Sequence, residues 1–228
     1  MKVFTYIKNH SSRVPSKNFQ VLGDKPLWRH LIDELSGLDV YIDSDSDLVL
    51  DVCKSDPSLR NTTAYPRDKA FVDMEEDPNN KLSPSLLMIE NFLNNFVKDP
   101  EEIIVLTHVT SPFLKLDTIK SALEKIEQGY EFVHSVYSIQ DFAFMGKDYV
   151  PLNFDVSVVQ RTQDVEKVHF SNGAFFMFRK KSFLKYNNRI GDNNNTFYYE
   201  LPKIEAIEID TQEDLALAKI LYKGLIND

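Results

Sequence analysis

Apolar and polar positions alternate along the chain between two repeats. One is short runs of apolar residues; the other is the i, i+3, i+4, i+7 spacing of an amphipathic helix. Lys2–Ile7 reads as a first strand. A polar loop follows from Lys8 to about Gly23, and Pro26 can sit in the first turn of a helix spanning Leu27–Leu35. Val40–Ile42 reads as a second strand and Asp47–Cys53 as a short helix. Arg60–Asn80 is polar and mixed, and reads as a long functional loop or mobile segment. Ser83 and Pro84 mark a helix start, with Ile89, Phe92, Leu93 and Phe96 on one face. Ile103–Leu106 suits a buried parallel strand. Ile119, Ala122, Leu123 and Ile126 mark another helix, and Phe132–Val136 another strand.

From Tyr137 to Gln160 helical spacing is absent, aromatic residues and valine are frequent, and Gly146-Lys147-Asp148 offers a turn. This segment reads as a β-hairpin-like insertion. Phe175–Phe178 and Ile204–Ile209 read as strands separated by an Asn-rich loop after Gly191. Ala218, Leu221, Tyr222 and Leu225 mark a last amphipathic helix. Strands and helices in alternation imply an α/β sheet with right-handed crossovers. With no repeat and no interdomain linker, residues 1–228 read as a single domain. Ligands on such sheets sit at the carboxyl ends of strands, so the loops there carry the chemistry.

Composition narrows the classes. The 228 residues carry 26 Lys and Arg against 35 Asp and Glu, a net charge of −9. That surface does not suit a polyanion, so no nucleic-acid partner is expected. The first 30 residues run against the trend, with six basic residues against Asp24 alone, which would focus a small anionic ligand. Cys53 is the sole cysteine and falls in a helical apolar pattern, so neither a disulfide framework nor a cysteine zinc cage is available. No apolar run approaches a membrane span and no signal-peptide core follows Met1, so a cytoplasmic location is expected, with no membrane partner. The two common glycine phosphate loops, G-x-x-x-x-G-K-[ST] and G-x-G-x-x-G, are absent. Asp43-Ser44-Asp45-Ser46-Asp47 opens like a calcium loop but has Leu48 and Lys54 where glycine and glutamate are required.

Four stretches retain candidate chemistry. Lys8, Ser11, Arg13, Lys17 and Asn18 concentrate phosphate and base donors directly after the first strand, although a solvated basic loop has the same composition. Glu208 and Asp210 lie two apart on the last predicted strand, one face presenting two oxygen ligands suited to Mg²⁺ or simply an acidic edge. Thr211 and Asp214 form a capping-box pattern. Thr107-His108-Val109-Thr110-Ser111-Pro112 ends a buried strand, where Thr110 and Ser111 suit a helix-capping turn. Arg161, Gln163 and Asp164 precede Asn172-Gly173, which is also a common turn.

Taken in order, these stretches resemble the cytidylyltransferases that make CMP-activated acidic sugars, and most of all the CMP-sialic acid (N-acylneuraminate) synthetase group. The run Ile7–Asn18 is similar to that family's A-R-x-G-S-K-R-I-P-x-K-N loop. Ile42–Asp45 resembles its V-S-T-D segment, and Tyr65–Arg67 through Asp73 its R-P…D loop. Thr107–Pro112 resembles L-Q-P-T-S-P, Arg161–Val165 resembles R-R-Q-D-L, and Asn172–Phe176 resembles N-G-A-I-Y. Ile207–Leu215 resembles I-D-I-D-T-x-x-D-L. The likeness covers about residues 2–222; each motif alone is weak, and their order carries it.

The resemblance implies a Rossmann-like nucleotide-diphospho-sugar transferase fold, with a mostly parallel central sheet flanked by helices and a small β-rich dimerisation insertion at 137–160. It implies transfer of CMP from CTP to a nonulosonate-type 2-keto acid sugar, releasing pyrophosphate, with Mg²⁺ as cofactor and a homodimer as the assembly. Lys8, Ser11, Arg13, Lys17, Asn18 and Arg67 would hold the nucleotide. Lys17 and Asp210 would be catalytic, and Asp210 and Glu208 would hold the metal. His108, Arg161, Gln163 and Asn172 would face the sugar. The chain departs from the family pattern at Lys8 (Arg), at Asn9 and His10 (small residues), at Ser12 (Lys), at His108 (Gln), at Val109 (Pro) and at Glu208 (Asp). Those departures leave two alternatives: a nucleotidyltransferase using another NTP or sugar, and an inactive nucleotide-binding homologue.

Overall fold

A computed structural model describes residues 1–11 and 13–227; Ser12 and Asp228 lie outside the described residues. In chain order the elements are β1 (Lys2–Ile7), β2 (Val21–Leu22), β3 (Lys25–Pro26), α1 (Leu27–Glu34), β4 (Asp39–Ser44) and α2 (Asp47–Ser55). Next come β5 (Thr62–Pro66), α3 (Lys69–Glu76), α4 (Ser85–Phe96), β6 (Ile103–Thr107), α5 (Leu116–Glu127) and β7 (Phe132–Ile139). The chain ends with β8 (Phe144–Met145), β9 (Val150–Pro151), β10 (Val168–Arg179), α6 (Lys180–Tyr186), β11 (Thr196–Glu200) and α7 (Gln212–Asn227).

Seven strands form the central sheet in the order β11-β7-β10-β6-β1-β4-β5. β10 is antiparallel to both its neighbours, and the other pairings are parallel. Successive side chains on a strand point to opposite faces, so a sheet covered on both sides must be apolar at consecutive positions. Val3 and Ile7, Val105, Val133, Phe175 and Met177 pack beneath α1, α2 and α5. Phe4, Ile104, Leu106, Phe132, Phe176 and Phe178 pack against α4 and α6. The second layer is aromatic, with Phe4 and Phe92 stacked at 4.5 Å between ring centroids.

Three expectations are corrected. Arg60–Asn80 is not a long loop: it contains β5 and α3. Thr62 and Thr63 supply β-branched residues for an edge strand, and the Asp68 carboxylate accepts the Ala70 amide to cap the helix. The polar composition hid both, because α3 buries none of its residues. Ile204–Ile209 is not a strand; the last strand is β11, whose Thr-Phe-Tyr-Tyr run follows the Asn-rich loop. Pro26 belongs to β3 and precedes the helix rather than sitting inside it. β10 is also far longer than Phe175–Phe178, and its register shifts between Ser171 and Phe176, around Asn172-Gly173. Within 137–160, β8 and β9 pair as a short antiparallel hairpin whose turn has Gly146 at φ 72°.

Candidate active site

The carboxyl ends of β1, β4 and β6 converge on one cleft, and the loop after β1 forms its floor. That loop is stitched together: the Asn18 side-chain amide donates to the Lys8 carbonyl at 2.9 Å, and Gln20 donates to the Pro15 carbonyl at 2.8 Å. Val14 is fully buried beneath it, against Ile209, Leu215 and Ala218. The loop thus has its own small core and presents its polar residues upward.

At the centre is a recess of about 180 Å³. Lys8, Ser11, Lys17, Asn18, His108, Thr110, Glu208 and Asp210 all line it. Asp210 Oδ1 accepts from Lys17 Nζ at 2.9 Å and from Arg13 Nη2 at 2.8 Å. Glu208 and Asp210 share this recess although they are not on a strand. Ile209 between them is fully buried and donates its amide to the Thr110 carbonyl at 2.8 Å, which holds the segment extended. The two-residue alternation survives without a sheet ladder. Thr211 and Asp214 cap α7 reciprocally, the Thr211 amide donating to Asp214 at 2.7 Å and the Asp214 amide to Thr211 Oγ1 at 3.2 Å. Burial, reinforced by Asp210, pushes the Glu208 carboxyl up to about 7, against the pull of Lys17.

The donor set suits Mg²⁺. No cluster of three or more metal-type side chains exists among the described residues. Two carboxylates facing a basic loop are nevertheless the usual protein share of such a site, since Mg²⁺ takes its remaining ligands from phosphates and water.

Two wings flank the recess, one adjoining it and one beyond a row of rings. On the β4–β5 side a cavity of about 270 Å³ shares Lys8 and Ser11 with it and continues past His10 and Asp45 to Val72 and Glu75 on α3. Here the structure moves one expected contact away from the surface. The Arg67 side chain is wholly buried. Its Nε donates to Asp43 Oδ1 at 2.6 Å and its Nη1 to Glu75 Oε2 at 2.7 Å. Arg67 therefore backs this wing instead of lining it. Asp43 is buried too, and desolvation raises its carboxyl above the ordinary value against the pull of Arg67.

On the β7–β10–β11 side the wall is a row of rings. His108 Nε2 lies 2.8 Å from Tyr6 Oη. Phe176 stands edge-on to His108 and stacks on His134 at 4.5 Å. Gly173 at φ 72° lets its backbone approach His108; a Cβ there would lie 3.2 Å from Nδ1. Burial first, and Arg189 second, lower both histidines to about 4, so both rings are neutral near pH 7. Beyond them a groove of about 610 Å³ is lined by His134, His169, Ile190, Tyr198 and Glu200.

Arg189 is the functional candidate that sequence reading missed. Its guanidinium lies 4.2 Å from the Phe176 ring centroid and donates to Ser85 Oγ at 2.9 Å. Among the described residues no carboxylate lies within ion-pair reach of it. It sits in a polar stretch without a motif, and only the fold brings it behind the ring wall, where it lines a cavity of about 500 Å³ that shares Ile190 with the groove. Asn172 is buried; its Oδ1 accepts from Ser135 Oγ at 2.9 Å, which holds the β10 irregularity in place. Arg161 and Gln163 do not join the cleft within one chain. Arg161 is exposed and paired with Asp164 at 2.6 Å, and Gln163 is exposed beside it.

Residues 9–225 match the family model for cytidylyltransferases. The chain belongs to the cytidylyltransferase family. Family members are nucleotidyltransferases, and the basic loop facing two carboxylates suits that chemistry. The N-acylneuraminate cytidylyltransferase of Streptococcus agalactiae serotype III (strain NEM316) is 25% identical over 224 residues, covering 91% of this chain and 49% of that protein. This chain therefore spans about half the length of that relative. The pseudaminic acid cytidylyltransferase of Campylobacter jejuni subsp. jejuni serotype O:2 is 27% identical over 228 residues, covering 93% of this chain and 92% of that protein. The solved CMP:2-keto-3-deoxy-manno-octonic acid synthetase, complexed with CTP, aligns with a TM-score of 0.63 at 12% identity over 98% of both chains. A 4-diphosphocytidyl-2C-methyl-D-erythritol synthase aligns with a TM-score of 0.64 at 8% identity, over 96% of this chain and 98% of that one. Both confirm the α/β nucleotidyltransferase fold. No described helix is long and apolar enough to cross a membrane.

Proposed function

We propose that this cytidylyltransferase moves CMP from CTP onto the hydroxyl of an acidic, nonulosonate-type sugar. The observation that carries the reading is the recess in which Lys17 and Arg13 meet Asp210, with a polar cavity adjoining it on one side and a groove beyond the ring wall on the other. Two relatives that align over most of this chain bear the names of acidic-sugar cytidylyltransferases.

In this reading the nucleoside lies in the β4–β5 wing and the triphosphate crosses the basic loop, held by Lys8, Ser11, Arg13 and Lys17. The sugar enters from the aromatic wing. Its hydroxyl oxygen bonds to the α-phosphorus while the bond to the β-phosphate bridging oxygen breaks, and pyrophosphate leaves. Such a transfer depends on alignment and charge neutralisation more than on covalent catalysis. Lys17, only 11% exposed, is placed to meet the charge that develops on the phosphoryl oxygens. Asp210 and Glu208 would hold Mg²⁺, which neutralises phosphate charge. Arg189, with no carboxylate of its own to satisfy, takes the sugar carboxylate. His134 lines the groove with its Nδ1 buried and without a hydrogen-bond partner, so its ring serves as wall.

The chain works as a homodimer in this reading. Phe144, Met145, Tyr149, Val150, Val156 and Val159 of the 137–160 insertion are all more than half exposed, apolar surface that a second copy would cover. Light scattering on the purified chain tests this; a monomer at micromolar concentration would remove the dimer from the reading.

A thermal-shift series with CTP, UTP, ATP and GTP, each with and without Mg²⁺, tests the nucleotide assignment. A CTP-selective shift that Mg²⁺ enlarges is expected, because a ligand that binds the folded state raises its apparent stability. No shift with any nucleotide at millimolar concentration would leave an inactive homologue as the better description.

A further inference from the structure

We infer that Glu75 is the residue that selects cytosine, with buried Arg67 acting behind it as a positioning residue. The inference rests on the proposed placement of the nucleoside in the β4–β5 wing.

The geometry is specific. Glu75 uses one oxygen, Oε2, to accept from Arg67 Nη1 at 2.7 Å. Arg67 in turn is fixed from behind, Nε on Asp43 Oδ1 at 2.6 Å and Nη2 toward the Asp43 carbonyl at 3.4 Å. The other oxygen, Oε1, makes no hydrogen bond; it forms a long ion pair with Lys8 Nζ at 3.9 Å, and both residues line the cavity. One carboxylate oxygen is thus locked in place and the other is left as a fixed acceptor in the wall of a cavity about 270 Å³ in volume. α3 buries none of its residues, so Arg67 is what fixes this side chain.

A fixed acceptor tells the two pyrimidines apart. Cytosine carries an exocyclic amino group, a donor, where uracil carries a carbonyl, an acceptor. Facing a carboxylate oxygen, the first makes a charge-assisted hydrogen bond and the second meets like polarity. Asp45 and Glu76 on the same wall add acceptors of the same sign. Arg67, with its side chain wholly buried, cannot itself touch the base and acts only through Glu75.

The test is the ratio of CTP to UTP affinity, measured by calorimetry with Mg²⁺ on the full chain. In Glu75→Gln the amide carbonyl turns toward Arg67 Nη1 and its NH₂ group replaces the free acceptor. The ratio should fall at least tenfold, with UTP binding gaining as CTP binding weakens. Glu75→Asp keeps the charge but draws the oxygen back, and should give an intermediate ratio; it also serves if the Gln variant does not fold. An unchanged ratio in a folded Gln or Asp variant overturns the inference. A wild-type chain that binds CTP no better than UTP overturns instead the placement of the nucleoside.

Discussion

The two wings of the cleft are built differently. The β4–β5 wing is a lattice of fixed charges: Asp43, Arg67 and Glu75 are held by one another, with Lys8 facing Glu75 at 3.9 Å. The β7–β10–β11 wing is a wall of rings with neutral histidines, one unpaired guanidinium and a larger, more open groove. A ligand that never varies is best met by preorganised charges, whose desolvation is compensated inside the protein. A ligand that differs from one relative to the next is better met by apolar surface with a few polar anchors. Between the wings lies the Lys17–Asp210 seam, which the proposed reaction places between both substrates.

That comparison can be broken at four points. The largest effect falls on the seam. Asp210→Asn removes the carboxylate shared by Lys17 and Arg13 and proposed to hold Mg²⁺, and turnover should drop about a thousandfold with the fold intact, as read by initial rates and circular dichroism. Next is the charge lattice. Arg67→Met leaves Asp43 buried without its counter-ion and should cost about 3–5 kcal/mol of stability by urea unfolding. An Arg67→Met chain as stable as the parent would mean the β4–β5 wing is not held by charge.

The aromatic wing should respond in binding rather than stability. Arg189→Gln should raise KM for the acidic sugar by roughly ten- to a hundredfold while KM for CTP stays within twofold, because it removes a charge-assisted contact to one substrate only. Equal loss for both substrates would place Arg189 outside the sugar side. The smallest effect is in pH dependence. His108 and His134 have folded values of about 4, below the unfolded 6.5, so the unfolded chain binds more protons between those values. Their contribution to stability is full above pH 6.5 and is lost as pH falls toward 4. His134→Gln should flatten that slope by up to about 1.4 kcal/mol per pH unit in denaturation midpoints converted to free energy.

Sequence legibility follows the same division. The basic loop is a contiguous run after one strand, so Lys8, Ser11, Lys17 and Asn18 form a group legible in the sequence. Glu208 and Asp210 were found through their spacing even though the predicted strand is absent, since an extended segment pinned by Ile209 gives the same alternation. The buried strands β1 and β6 were legible because a sheet covered on both faces must be continuously apolar. The aromatic wing was not, because Tyr6, Ser85, His134, Phe176 and Arg189 come from separate elements and share no sequence pattern. The Tyr65–Arg67 motif singles out Arg67, but the sequence does not tell a buried guanidinium from one that reaches a ligand. Only the closure of Asp43 and Glu75 around it does that.

The most direct test of the account is ³¹P nuclear magnetic resonance on the purified chain with CTP and Mg²⁺, adding N-acetylneuraminic acid and pseudaminic acid in separate runs. The account predicts that CTP signals give way to pyrophosphate and a CMP-sugar diester with at least one acidic sugar, and persist without sugar. CTP left intact across a panel of 2-keto acid sugars, in a sample that is folded and binds the nucleotide, would contradict it.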